Sequence, residues 1–300
     1  MNWPHTTLTE RLDIRYPIIQ APMIGGPSSL RLTAAISDAG GLGSLAGACL
    51  RPDTLRQAIA EIRALTERPF AVNLAVGGTS GSPEQIARAH ELLAPYRIEL
   101  GLPPESPTLP ESSEFEQLLE VVMEERVSAV SFMFGAPDNV YLDLLRDAGI
   151  VTLGTATHLL EAIVLEESGL DFIVAQGVEA GGHRGTFIGR TEQGLLGTLT
   201  LVPLLVEHLR VPIIAAGGIV DGRGMAAAQI LGAVGVQIGT AFLACLENDA
   251  PLAYQTLLRE GSEITTTLSR VFTGRPARVL RNRLTRELDA HESELPGFPV

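Results

Sequence analysis

A histidine set among glycines, Gly181-Gly182-His183-Arg184-Gly185, is the residue of this 300-residue chain best suited to moving a proton. So glycine-dense a loop cannot be apolar core, which weighs against His183 being a packed core histidine. An imidazole there titrates near neutrality and suits abstraction of a proton next to an electron-poor carbon. A surface-loop histidine without chemistry is the competing reading. Of the others, His90, His158 and His208 fall on helical faces, while His5 and His291 lie near the ends.

Two further segments suit an anion. Ala215-Ala216-Gly217-Gly218-Ile219 and Gln237-Ile238-Gly239-Thr240 each place glycine at the end of an apolar run. Without a Cβ, backbone N–H groups approach a phosphate closely. A helix opening near Gly224 or Ala241 would add a favourable dipole. One such turn alone reads as simple chain reversal; two together favour a phosphate site. Gly222-Arg223-Gly224-Met225-Ala226-Ala227 fits the G-x-G-x-x-A form of a dinucleotide turn. It starts well past its strand, however, and residue 242, where a ribose-binding acid belongs, is phenylalanine.

Asn73 and Gln176 each close an apolar run. A carboxamide donates and accepts, as a planar ring with alternating C=O and N–H groups requires; a polar plug for loop backbone is the other reading. A phosphate site, two amides and a histidine around one opening describe a pocket for FMN.

Those residues need a scaffold that gathers strand ends. Apolar runs are expected as strands over 18–22, 42–46, 70–75, 129–134, 151–155, 172–176, 212–216 and 236–239. They show little polar alternation, as in parallel strands covered on both faces. Amphipathic stretches between them predict helices over 30–38, 54–65, 83–94, 115–125, 139–147, 158–167, 200–208 and 224–231. Ser82-Pro83-Glu84 reads as a helix start, Asp53 as a cap, and Gly149 and Gly169 as helix ends. Eight such alternations close into a (β/α)8 TIM barrel, whose sites form at the C-terminal strand ends, with phosphate often held after the seventh and eighth strands. Glycine-bearing segments from Gln20, Asn73 and Ala175 onward fall on that same face. An elaborated loop is expected after the third strand, over 76–114, with Gly77, Gly78, Gly81, Pro103, Pro104, Pro107 and Pro110. The expected division is an FMN-binding barrel over 1–245 and a helical cap over 246–300.

Composition excludes several alternatives. Lys and Arg total 22 against 35 Asp and Glu, a formal charge of −13, which repels nucleic acid and anionic membrane. Cys49 and Cys245 are too few for a disulfide framework, and the charged start lacks a signal-peptide apolar stretch, so a cytoplasmic protein is expected. No apolar run is long enough to span a membrane. Neither HExxH nor CxxC occurs, so no metal is expected, and no G-x-S-x-G elbow is present.

Pro17-Ile-Ile-Gln-Ala-Pro-Met23, Ala175-Gln-Gly-Val-Glu-Ala-Gly-Gly-His183, Ile214-Ala-Ala-Gly-Gly-Ile219 and Gln237-Ile-Gly-Thr240 resemble the signature segments of the nitronate monooxygenases. Thr267-Leu-Ser-Arg-Val-Phe-Thr-Gly-Arg-Pro-Ala-Arg278 is similar to that family's region after the barrel. The resemblance implies FMN contacts from the Met23 backbone, Asn73, Gln176, Gly181, Gly218, Gln237, Ile238, Gly239 and Thr240, and a catalytic base at His183. It implies oxidation of an alkyl nitronate such as propionate 3-nitronate by O2 to a carbonyl compound and nitrite. A neutral nitroalkane would lose its α-proton to the histidine first. Two departures stand out. Met133 occupies the fourth-strand position where many members carry histidine, and the chain stops at Val300, where many continue. Flavin-dependent enoyl reductases and NADH:quinone reductases share similar motifs, so an NAD(P)H reductase remains an alternative. A flavin-free sugar-phosphate isomerase or synthase and a non-catalytic FMN sensor are two others. A homodimer is one expectation for the assembly.

Overall fold

The computed structural model describes residues 4–77, 81–103, 115–260 and 265–298. Gly78 and the prolines at 104, 107 and 110 lie outside the described residues. Two compact units divide the chain. The larger takes Met1–Val76, Glu114–Gly181 and Gly185–Gly261; the smaller takes Gly77–Ser113, Gly182–Arg184 and Ser262–Val300.

Eight parallel strands form the larger unit's sheet: β1 (Ile18–Gln20), β2 (Gly43–Ala46), β3 (Phe70–Ala75), β4 (Ala129–Met133), β5 (Val151–Ala156), β6 (Phe172–Gln176), β8 (Ile213–Ala216) and β9 (Gly235–Ile238). A two-residue strand, β7 (Gly182–His183), intervenes in sequence and belongs to the smaller unit. The sheet order is β1-β9-β8-β6-β5-β4-β3-β2. A parallel bridge between Ile19 and Leu42 joins its two ends, with Gln20 N–H donating to the Leu42 carbonyl at 2.9 Å. This is the expected TIM barrel. Helices α1 (Thr7–Leu12), α2 (Leu30–Asp38), α3 (Pro52–Leu65), α5 (Phe115–Glu124), α6 (Asn139–Asp147), α7 (Leu159–Glu167), α8 (Thr198–His208), α9 (Gly222–Ile230) and α10 (Leu252–Glu260) also belong to this unit.

The period of two along each strand sorts its side chains into two layers. Val72, Leu74, Val130, Phe132, Ile173, Ala175, Ile213 and Ala215 pack outward against helix residues such as Ile59, Leu119, Leu145 and Leu205. Ala71, Ala129, Leu153, Val174 and Ile214 fill the barrel interior with Leu8 and Leu12 of α1. Each fully buried leucine contributes roughly 1.5–3 kcal/mol to folding. Gly43 is dictated by packing, since a Cβ there would stand in the backbone carbonyl of Thr33 on α2.

In the smaller unit, α4 (Pro83–Glu99) and α11 (Arg283–Leu288) accompany a three-stranded antiparallel sheet. Its order is β10 (Thr266–Ser269), β11 (Ala277–Leu280), then β7. The sequence beyond Cys245, expected as helical, therefore also carries strands. Their partner at Gly182–His183 is nearly a hundred residues away, and no local pattern announces it. The helix expected to end at Ala94 continues through Pro95. Leu92, Leu93 and Tyr96 pack with Val271, Leu288 and Leu295, and that burial offsets the roughly 3 kcal/mol cost of an internal proline. Asp53 is not the α3 cap. Arg51 holds that position without a side-chain bond, and Asp53 lies in the first turn after Pro52. Ser82 caps α4 as expected, and Gly149 and Gly169 follow helix ends with left-handed φ of 73° and 83°. No helix among the described residues is long and apolar enough to cross a membrane.

Candidate active site

Alternation along the strands also decides which polar residues face inward. Asn73 shares parity with Ala71, Ser131 and Met133 with Ala129, and Gln176 with Val174, so all four stand on the inner face near C-terminal strand ends. Asn73 is 3% exposed, and its Nδ2 donates to the Ser131 carbonyl at 3.1 Å and hydroxyl at 2.9 Å. A carbonyl only accepts, so this contact fixes which end of the amide is nitrogen. Its Oδ1 is buried and has no hydrogen-bond partner among the described residues. Such an acceptor costs about 1–3 kcal/mol unless a ligand satisfies it. Gln176 directs Oε1 to the Gly185 N–H at 2.8 Å, tying down the returning limb of its own loop. Met133 is half-buried, and its carbonyl accepts from the Val76 N–H at 2.9 Å.

The turns after β6 and β8 interlock. Gly177 N–H donates to the Ala216 carbonyl at 2.9 Å. The Glu179 carboxylate accepts from the Thr198 N–H at 3.0 Å and from its hydroxyl at 2.8 Å. Gly217 and Gly218 both take positive φ, 112° and 70°. A Cβ on Gly218 would also lie 3.3 Å from that of Glu179, so this turn needs glycine on two counts. The helix dipole expected near Gly224 is answered differently: Asp221 caps α9, accepting from the Arg223 and Gly224 N–H groups at 2.9 and 3.2 Å. A carboxylate therefore occupies that helix start. The Arg223 guanidinium holds the Asp221 carboxyl below its usual range.

Across the opening, Gln20 is fully buried and joins β1 to β2, donating to the Ser44 carbonyl at 3.0 Å and accepting from its N–H at 3.1 Å. The Met23 N–H donates to the Ser28 hydroxyl at 2.7 Å, and the Met23 carbonyl accepts from the Ser28 N–H at 3.3 Å. Met23's backbone thus already shapes its own loop; its carbonyl keeps a second lone pair. Gly239, at the end of β9, lies against Ala21, and Gly181 lies against the Thr240 hydroxyl. Gln237 and Ile238 alternate, with Ile238 in the outer layer. Met23, Gly181 and 237–240 are thereby brought together, and Gly218 stands beside Glu179 of the neighbouring turn.

His183 belongs to the smaller unit. It pairs with Ala277 of β11, and Arg184 N–H donates to the Pro276 carbonyl at 2.8 Å. Its Nε2 lies 2.7 Å from the Thr273 hydroxyl, and its ring meets Phe298 edge-on at 5.4 Å between centroids. Burial, and secondarily the Arg275 guanidinium, push its pKa down to about 4. It is therefore a neutral imidazole at pH 7.

The sequence pattern of nitronate monooxygenases matches residues 5–298. The chain belongs to that family. A protein of Staphylococcus saprophyticus named a probable nitronate monooxygenase is 39% identical over 298 residues, covering 98% of this chain and 84% of the relative. The structure of a nitroalkane oxidase from Streptomyces ansochromogenes is similar with a TM-score of 0.85 and 39% identity, over 95% of this chain and 82% of that one. FabK from Thermotoga maritima gives a TM-score of 0.75 at 33% identity, over 97% and 79%. The chain is accordingly an enzyme of the nitronate monooxygenase kind, an oxidoreductase family that uses flavin. The barrel's own residues fit such a group: a buried amide oxygen lacks a partner, and two glycine turns leave backbone open where a side chain would intrude.

Several features of this candidate site were not legible residue by residue. Ser131, which accepts from Asn73, belongs to no motif, and Glu179 lies inside a segment that resembles the family, but nothing in the sequence pairs it with Thr198. Thr273 lies in the segment that resembled the family after the barrel, but nothing in its spacing linked it to His183.

Proposed function

We propose that this enzyme holds FMN at the C-terminal face of its barrel and oxidises alkyl nitronates, such as propionate 3-nitronate, with O2 to a carbonyl compound and nitrite. The observation that carries the reading is the buried, unpartnered Oδ1 of Asn73 on the inner face, which suits a ring N–H. Gln176 would stand beside the ring, while Gly217–Gly218 and 237–240 offer backbone to the phosphate. The Met23 carbonyl and Gly181 would close the rim. Bound FMN would supply the electron acceptor that O2 regenerates.

His183 takes the role of base for neutral nitroalkanes. It is two residues from Gly181 and two from Gly185, and each trans peptide spans about 3.8 Å between Cα atoms, so the chain itself tethers it within about 8 Å of both. Burial keeps its lone pair available at pH 7. The imidazole removes the α-proton of a neutral substrate; a nitronate arrives without that proton and bypasses the step. The guanidinium of Arg275 disfavours an imidazolium and favours an anion, which suits the nitronate.

The likeness to FabK favours a second reading, an NAD(P)H-dependent reductase on the same barrel. Purified protein should be yellow, release FMN on denaturation, and consume O2 with nitrite release from a nitronate without added NADH. Rapid NADH oxidation with no nitrite from any nitronate would establish the reductase instead.

A further inference from the structure

We infer that Phe187 is a specificity-determining residue, the wall that limits the length of alkyl group the barrel mouth accepts. The limb of chain from Gly185 to Ile188 runs across the C-terminal ends of the strands. Gly185 starts it above β5 and β6: its N–H donates to the Gln176 Oε1 at 2.8 Å, and a Cβ on it would stand 2.8 Å from the Thr155 methyl carbon. Thr155 shares parity with Val151 and Leu153, so it faces the barrel interior, as Gln176 does. Two residues on, the Phe187 ring reaches the ends of β4 and β3. A Cβ on Gly135 would lie 3.6 Å from the Val76 side chain and 4.0 Å from that ring. Phe187 is half-buried: it packs with Val76 on the apolar layer and keeps accessible surface.

The limb is held firmly enough to present a fixed edge. Glu161, in the first turn of α7 and fully buried, accepts from the Phe187 and Ile188 N–H groups at 2.5 and 3.0 Å. Its other oxygen accepts from the Thr157 N–H and hydroxyl, both at 2.7 Å. His158 Nε2 donates to the Ile188 carbonyl at 3.0 Å. A buried carboxylate needs several donors to offset its desolvation, and these provide them. The bonds to the limb all go to its backbone, so the Phe187 ring can be exchanged while its N–H stays on Glu161. A rigid aromatic edge discriminates by size, since one methylene gained or lost in an apolar pocket changes kcat/KM by about ten-fold or more. The inference deepens the nitronate reading and rests on it.

The test measures kcat and KM for ethyl, butyl and hexyl nitronates, by nitrite release, in FMN-loaded wild type, Phe187→Ala, Phe187→Leu and Phe187→Trp. Phe187→Ala should raise the hexyl-to-ethyl ratio of kcat/KM about ten-fold, mainly through KM. Phe187→Leu should raise it about three-fold, and Phe187→Trp should lower it. Should Phe187→Ala not fold, Phe187→Leu decides in its place. A ratio that stays within about two-fold of wild type, or an equal loss on every nitronate, overturns the role of Phe187 and leaves it a packing residue. Wild type that binds FMN yet releases no nitrite from any of these nitronates would defeat the nitronate reading itself, and this inference with it. Wild-type turnover with an unchanged chain-length profile in the variants defeats this inference alone.

Discussion

The Glu179 carboxylate accepts from both the N–H and the hydroxyl of Thr198, at 3.0 and 2.8 Å, and so binds the turn after β6 to the first residue of α8. The same carboxylate side chain lies beneath Gly218, and the Thr198 hydroxyl also comes within 3.0 Å of the Gly217 carbonyl. One contact thus holds the backbone of two site turns. Glu179→Ala should cost about 1 kcal/mol of stability, a modest figure because Glu179 is exposed. Its larger effect should be on FMN retention, weakened about ten-fold by fluorescence titration. Unchanged affinity would mean that these turns hold their shape without the clamp.

Asp221 provides the contrast. It caps α9 through the Arg223 and Gly224 N–H groups, so that helix start already has its anion. Asp221→Ala should lower stability modestly in denaturant unfolding, through loss of the α9 cap, and leave FMN affinity within about two-fold. A marked gain or loss of affinity would reinstate the α9 terminus as part of the phosphate site.

Asn73 carries a buried acceptor, Oδ1, that a flavin ring N–H would satisfy. Replacing it with leucine deletes the unpartnered Oδ1 together with the Nδ2 bonds to Ser131, two effects of opposite sign. The apoprotein melting temperature of Asn73→Leu should therefore stay near wild type, while FMN affinity falls about ten-fold or more. A large loss of apoprotein stability with full FMN affinity would mark Asn73 as a structural plug.

How much of this could be read from residue order depends on the range of the interaction. The eight strands were legible because each is a local apolar run, and β3 and β6 appear with the expected bounds, Phe70–Ala75 and Phe172–Gln176. The inward aim of Asn73 and Gln176 follows from the period of two once the strands are known. Asp221's capping role was masked by the glycine-rich stretch it precedes. The hairpin β10–β11 was missed because β11 pairs across about ninety residues, and the His183–Thr273 contact depends on that pairing. Local pattern reaches the strand-end residues, whereas the surroundings of His183 depend on long-range pairing.

Arg275 gives a handle on the base. Burial is the main cause of the low His183 pKa and the guanidinium the lesser one, so Arg275→Gln should raise that pKa only part of the way toward 6.5. In wild type, kcat/KM for a neutral nitroalkane should hold through pH 5 and fall as pH approaches about 4. In Arg275→Gln the acid limb should move toward neutrality. A wild-type limb centred at 6.5 would contradict a buried, neutral imidazole.

The same shift has a consequence for stability, and its sign is fixed. Above pH 6.5 His183 is neutral in both folded and unfolded chains, so the term is flat. Between 6.5 and about 4 the unfolded chain binds the proton more readily, and stability falls on acidification; below about 4 the loss is complete. Because the ring is only partly buried, the loss should be on the order of 2 kcal/mol. Carboxylates titrate in the same region, so the measurement is a difference: urea unfolding of wild type and His183→Asn at pH 7 and pH 4.5. The wild type should lose more stability than the variant over that interval. Parallel losses would show that His183 keeps an ordinary pKa in the folded protein, and the case for a desolvated base would fail with them.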